Sequence, residues 1–166
     1  MPSAARPINC EPLKDLIREV PDFPKPGILF SDITTLPKEQ VGFATLINAL
    51  REHNRDKGVE LVLGIEARGF IFGPAVAYRL NAGFVPLRKP GKLPAATAKF
   101  DYALEYVTNT WEIHKSAIHI AQRVLIFDAL LATAGTAEAT ARLAHSLRTE
   151  MAGIGVYVDR DYQKVL

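Results

Sequence analysis

The sequence predicts an α/β fold, a doubly wound and mostly parallel sheet with one inserted hairpin. Three observations predict it. Short apolar runs at 59–65, 84–87, 124–127 and 154–158 have the length and two-sided apolarity of strands buried on both faces. Stretches with apolar residues at helical spacing lie between them, and strands alternating with helices imply parallel pairing through right-handed crossovers. Several of the runs end in polar or charged residues, as expected where ligands bind beyond the carboxyl ends of strands.

The elements follow in order. Leu13, Leu16, Ile17 and Val20 repeat at helical spacing over residues 11–20, and Pro21 stops that helix. Residues 22–27 form a turn-rich connector ending at Gly27, and 28–33 form a short strand. Phe43, Leu46, Ile47 and Leu50 mark one face of a helix ending before Gly58. The strand at 59–65 is followed by the loop Glu66-Ala-Arg-Gly69 and a helix over 74–80, stopped near Gly83. After the strand at 84–87, residues 90–97 are punctuated by Gly and Pro, a long loop suited to a flexible lid. Residues 102–107 and 110–115 alternate as a hairpin across Thr108 and Asn109, with Trp111 as packing. Beyond the strand at 124–127 a helix presents Thr140, Leu143, Ala144, Leu147 and Met151, Gly153 ends it, and 154–158 is the last strand. No repeat or internal boundary is visible, so residues 1–166 form a single domain.

Composition narrows the function. At 166 residues, 48% of them hydrophobic and 23% charged, the chain suits one globular domain with a full core. A net charge of +2 gives no reason to expect nucleic acid or a membrane surface as partner. No apolar stretch approaches the ~18 residues of a membrane span, and residues 1–6 lack a secretory signal core. The single Cys10 rules out an internal disulfide framework. A cytoplasmic enzyme or binding protein is expected.

The segment 124–136 carries the most chemistry. A buried strand runs into Asp128, then a loop of small and hydroxyl residues, including Thr133 and Thr136, opens a helix. Backbone N–H groups and hydroxyls converging at a helix N-terminus hold a phosphate, and a carboxylate just before them accepts from sugar hydroxyls. The segment reads either as a ribose 5-phosphate cradle or as a plain strand–loop–helix joint. Glu66 and Arg68 end one strand, Arg88 and Lys89 another, and these ends should meet Asp128 on one rim. Cations opposite a phosphate loop suggest a substrate with more than one phosphate. His53, His114, His119 and His145 lack metal spacing, and no nucleophile–His–acid arrangement emerges.

Five segments in order carry a family resemblance: residues 21–34, residues 64–74, Arg88-Lys-Pro-Gly-Lys-Leu-Pro94, Leu104-Glu-Tyr106, and 124–136. Together they resemble the adenine phosphoribosyltransferases, a type I phosphoribosyltransferase family. The resemblance implies the type I fold, with residues to about 35 as a small base-binding hood and 90–115 as lid and hairpin. It implies transfer of 5-phosphoribosyl from 5-phospho-α-D-ribose 1-diphosphate (PRPP) to adenine, giving AMP and pyrophosphate in purine salvage. Mg²⁺ is the implied cofactor, held mainly by PRPP with no direct protein ligand, and a homodimer is implied.

The implied roles fall on matching residues. Ala132, Thr133, Ala134, Gly135 and Thr136 would hold the 5-phosphate, and Asp128 the ribose hydroxyls. Glu66, Ala67, Arg68, Arg88, Lys89 and Lys92 would meet the pyrophosphate, with a non-proline cis peptide expected at Ala67–Arg68. Leu29, Phe30 and Ser31 would bind adenine, Phe30 by stacking. Residues 92–97 and the hairpin would close as a lid that excludes water. Glu105 would be the catalytic carboxylate that takes the purine proton; without the resemblance it reads as an exposed hairpin residue.

The chain departs from the family pattern at Ala129, where a second acid is usual, at Ala134, where Gly is usual, and at Val107, again in place of Gly. Arg160 or Tyr162 stands where an aliphatic residue often covers the other purine face. Losing a charged acceptor of a ligand hydroxyl costs ~1.5–3 kcal/mol, so the departures predict reduced activity. They also admit two rival readings: a catalytically weak paralogue that binds AMP or another purine nucleotide as a regulator, and a phosphoribosyltransferase for hypoxanthine or guanine.

Overall fold

The computed structural model describes residues 9–104, 107–131, 142–143 and 145–159. The N-terminal segment starts with a single 3₁₀ helix at Glu11–Leu16, with Pro12 in its first turn and Leu13 buried. Strands β1 (Arg18–Val20) and β2 (Phe30–Asp32) follow, paired antiparallel as a two-stranded sheet of their own. Helices α1 (Thr35–Lys38) and α2 (Gln40–Asn54) lead to β3 (Leu61–Ile65), all five residues of which are buried. Helix α3 (Gly69–Leu80) ends in a left-handed Asn81, whose N–H is bonded back onto the last turn. Strand β4 (Gly83–Leu87), the hairpin β5 (Thr97–Leu104) and β6 (Val107–His114), and strands β7 (Arg123–Leu131) and β8 (Glu150–Asp159) complete the described elements.

The central sheet has the order β4-β3-β7-β8 and is parallel throughout. Its period-two alternation divides the core. Val62, Leu125 and Phe127 face α2, α3 and the N-terminal segment, where Cys10, Leu13 and Leu36 are also buried. Leu61, Leu63, Ile65, Val124 and Ile126 face the other way, onto Ile113, Trp111 and Phe100 of the hairpin and onto Leu143. The hairpin is therefore half core: Ile113 has no exposed surface, and Trp111 packs as expected.

Four sequence expectations change. The helix over 11–20 is only the 3₁₀ turn, because Arg18–Val20 finds hydrogen-bonding partners in Phe30–Asp32 and extends. Helix α3 begins at Gly69 rather than 74, so Pro74 lies inside it. The hairpin register sets Tyr102 opposite Asn109 and Ala103 opposite Thr108, so Thr108 and Asn109 are paired strand residues rather than the turn. Strand β7 continues through Asp128 to Leu131 and β8 already begins at Glu150, because the two pair along their whole length; Met151 and Gly153 are strand residues.

Candidate active site

Two glycines build the rim. A Cβ at Gly69 would lie 2.5 Å from the Phe127 carbonyl oxygen, and one at Gly64 would lie 2.6 Å from the Phe84 ring. Lacking side chains there, the first turn of α3 packs directly against the backbones of β3 and β7. The Glu66 N–H donates to the Leu87 carbonyl at 2.9 Å, joining the ends of β3 and β4. The carboxyl ends of three strands thus meet, with Arg68 at the N-cap of α3 and Asp128 one residue beyond the last pairing of β7 with β3. Both are half-buried.

Glu66 organises the cations. Its carboxylate accepts from Arg88 Nη2 at 3.2 Å, Arg88 Nε at 3.3 Å and the Lys89 N–H at 2.9 Å. The Arg88 guanidinium, then the Lys89 N–H, hold the Glu66 carboxyl below its usual range. Arg88 Nη1 also donates to the Lys92 carbonyl at 3.3 Å, while the Lys89 and Lys92 side chains are exposed. Glu66, Arg88, Lys89 and Lys92 are therefore brought together as expected, and Ala67 is exposed beside Arg68. The cis peptide lies at Glu66–Ala67, one bond before the expected Ala67–Arg68. The Ala67 carbonyl accepts from the Phe70 N–H at 3.1 Å, so the Ala67–Arg68 peptide already belongs to the opening turn of α3.

One acid escaped the sequence reading. Glu112 on β6 is only 3% exposed, and its Oε2 accepts from the Gly91 N–H at 3.0 Å while Lys99 Nζ lies 3.2 Å from Oε1. These bonds, the Gly91 N–H foremost, hold its carboxyl below the usual range against the opposing effect of burial. The signal was available in the alternation of Trp111 and Ile113, which face the core and set Glu112 on the opposite face, towards loop 90–96.

The N-terminal sheet carries the expected adenine residues. Phe30 is half-buried and meets Phe23 edge to face, centroids 5.1 Å apart; Leu29 is 54% exposed and Ser31 half-buried. The Asp22 carboxylate closes the connector on the Gly27 N–H at 2.7 Å. Asp32 accepts from the Thr34 hydroxyl at 2.7 Å, from the Thr34 N–H at 2.9 Å and from Arg18, which together bring its pKa down to about 2. Glu105, Ala132, Thr133, Ala134, Gly135, Thr136, Arg160 and Tyr162 lie outside the described residues, as do the side chains of Val107 and Ala129. Among the described residues, no group of three or more His, Cys, Asp or Glu is placed to hold a metal ion.

Residues 31–165 match the sequence pattern of the phosphoribosyl transferase domain, and the chain is 62% identical over 157 residues to the adenine phosphoribosyltransferase of Acidobacterium capsulatum. The chain belongs to the adenine phosphoribosyltransferases. The Acidobacterium alignment covers 95% of this chain and 87% of that protein. The adenine phosphoribosyltransferase of Thermoanaerobacter pseudethanolicus superposes with a TM-score of 0.84 at 48% identity, covering 91% of this chain and 88% of that one. The Saccharomyces cerevisiae adenine phosphoribosyltransferase, solved with adenine and an imino-altritol bisphosphate, superposes with a TM-score of 0.84 at 35% identity, covering 92% and 89%. The central sheet is thus that of a type I phosphoribosyltransferase, and the chain is an enzyme of the glycosyltransferase kind.

Proposed function

We propose that this adenine phosphoribosyltransferase joins adenine to PRPP, forming AMP and pyrophosphate in purine salvage, and that it does so on the rim at the carboxyl ends of β3, β4 and β7. The observation that carries the placement is the cation set around Glu66 and Arg88, at the end of β3 and β4 beside the adjoining strand end that bears Asp128. In the reaction the C1–O bond to the diphosphate breaks, its electron pair leaves with pyrophosphate, and a purine ring nitrogen bonds C1. Arg68, Arg88, Lys89 and Lys92 oppose the charge that grows on the leaving diphosphate. Glu105 takes the proton that the purine nitrogen gives up. Asp128 accepts from the ribose hydroxyls, residues 132–136 hold the 5-phosphate, and Leu29, Phe30 and Ser31 receive the base.

Mg²⁺ fits this donor set as a passenger on the substrate. It takes oxygen ligands and is commonly bound through few carboxylates plus substrate phosphates, and Asp128 is the acid nearest the expected ribose. When bound, it neutralises part of the diphosphate charge. We further propose a cytoplasmic homodimer. No described helix is long and apolar enough to cross a membrane.

The decisive experiment incubates the protein with PRPP, Mg²⁺ and each purine base in turn. Adenine should yield equal amounts of AMP and pyrophosphate, with hypoxanthine and guanine inert. No turnover with any base, alongside tight AMP binding, would sink the enzymatic reading and leave the regulator. Size-exclusion chromatography with light scattering at micromolar concentration should give twice the chain mass; a monomer there refutes the dimer.

A further inference from the structure

We propose that Glu112 and His114 are positioning residues for the diphosphate group, acting through loop 88–96, which they fasten from one face of β6. The proposal rests on the reading of Arg88, Lys89 and Lys92 as the residues that receive that group. Strand alternation turns Trp111 and Ile113 into the core and leaves Glu112 and His114 on the opposite face. Each grips the loop at a different point. The backbone of Glu112 exchanges both hydrogen bonds with Arg88, at 3.0 and 2.7 Å, and its carboxylate accepts from the Gly91 N–H at 3.0 Å. His114 Nε2 lies 2.6 Å from the Pro94 carbonyl, which only accepts, so that nitrogen carries the hydrogen.

The arrangement does more than hold the fold together. Lys89 and Lys92 bracket Gly91, which turns the chain with a φ of +76°. Both ammonium groups sit on exposed, flexible side chains, so where they start is set by the backbone beneath them. A loop already fixed in place spends less binding energy on ordering itself around the diphosphate. Glu112 supplies a charge-assisted acceptor at the turn, stronger than a neutral one. Strand β6 is itself anchored by Ile113, which has no exposed surface, so the clasp transmits the rigidity of the core to the cations.

The test compares Glu112→Ala with Glu112→Gln and His114→Ala with His114→Gln. The readouts are PRPP and pyrophosphate affinity by titration calorimetry, and the KM values for PRPP and adenine. Glu112→Ala should weaken PRPP binding about tenfold, the loss expected for a hydrogen bond to a charged acceptor, with the KM for adenine unchanged. Glu112→Gln keeps an oxygen for Gly91 and should recover most of that loss. His114→Ala should weaken PRPP binding about threefold, and His114→Gln, whose amide still donates to Pro94, should restore it. Unchanged PRPP affinity in the alanine variants, failure of the glutamines to rescue, or a parallel rise in the adenine KM each overturns the proposal. If Glu112→Ala does not fold, the His114 pair decides by the same criteria. A wild-type protein that binds neither PRPP nor pyrophosphate overturns the underlying reading instead.

Discussion

The N-terminal sheet and the rim at the ends of β3 and β4, the two regions we propose for the base and the diphosphate, are both small and polar, yet they are secured differently. The rim is welded to the core: Gly69 and Gly64 let backbone touch backbone, and the carboxylates of Glu66 and Glu112 fix the cation loop from two sides. The β1–β2 sheet is held mostly by surface interactions, although Leu13 and Ile33 on either side of it are buried in the core. Three-residue strands, the Arg18–Asp32 pair and one edge-to-face contact between Phe23 and Phe30 carry it, with Phe23 and Leu29 half exposed. Exposed ion pairs contribute little, and segments with few buried contacts open at low free energy. The difference suits the ligands proposed for the two regions. A diphosphate with several charges needs a preformed array, whereas a flat base needs an aromatic face that parts and closes again.

Four perturbations test the contrast, from the largest effect to the smallest. Gly69→Ala drives a methyl group into the Phe127 carbonyl, with backbone on both sides; it should cost about 3 kcal/mol and lower the thermal midpoint by roughly 6–12 °C. A melting curve that matches wild type would show that the rim is not built on this contact. Arg88→Ala should raise the KM for PRPP about thirtyfold while sparing adenine, as expected for losing a charged hydrogen-bonding group; equal effects on both substrates would break the assignment of the rim to the diphosphate. Phe30→Ala should do the reverse, raising the KM for adenine about tenfold with PRPP unaffected, since stacking on an aromatic face is worth ~1–3 kcal/mol per base. Acid gives the smallest effect. Asp32 titrates at about 2 when folded, below the 3.8 of a free side chain. Its contribution to folding is therefore present above pH ~4 and is lost as pH falls towards 2. Amide protection at Val20 and Phe30, taken relative to the intrinsic exchange rate at each pH, should fall over that window and stay level in Asp32→Asn; an equal fall in both proteins would clear Asp32 of the effect.

A fifth change tests the ribose end. Ala129→Asp restores the acid usual in the family and should strengthen PRPP binding roughly tenfold. Unchanged affinity would count against placing the ribose at Asp128.

What was legible in the sequence followed from burial. The runs at 59–65, 84–87 and 124–127 stood out because a parallel sheet covered on both faces demands near-continuous apolar residues, and α2 was visible from its single apolar face. What was misread depends on partners distant in sequence. Arg18–Val20 carries helical spacing, but it extends because Phe30–Asp32 supplies an edge to pair with. Thr108 and Asn109 have turn chemistry, yet Tyr102 and Ala103 stand opposite them as strand partners. Glu112 drew no reading: alternation with Trp111 and Ile113 sets its face, but its contact with the Gly91 N–H depends on loop 90–96, distant in sequence. The rim residues Glu66, Arg68, Arg88 and Lys89 were recoverable because strand ends are where such sheets place their chemistry, whereas their mutual hydrogen bonds were not.

Cys10 turns the contrast between hood and rim into something observable. It is the only cysteine in the chain, 6% exposed and packed with Leu13 and Leu36, and burial pushes its thiol pKa up. A buried thiol of raised pKa resists alkylation until the segment above it lifts away. The rate at which Cys10 reacts with a maleimide is thus a clock for undocking of the N-terminal segment, read without a mutation. Adenine should slow that clock and pyrophosphate should leave it running.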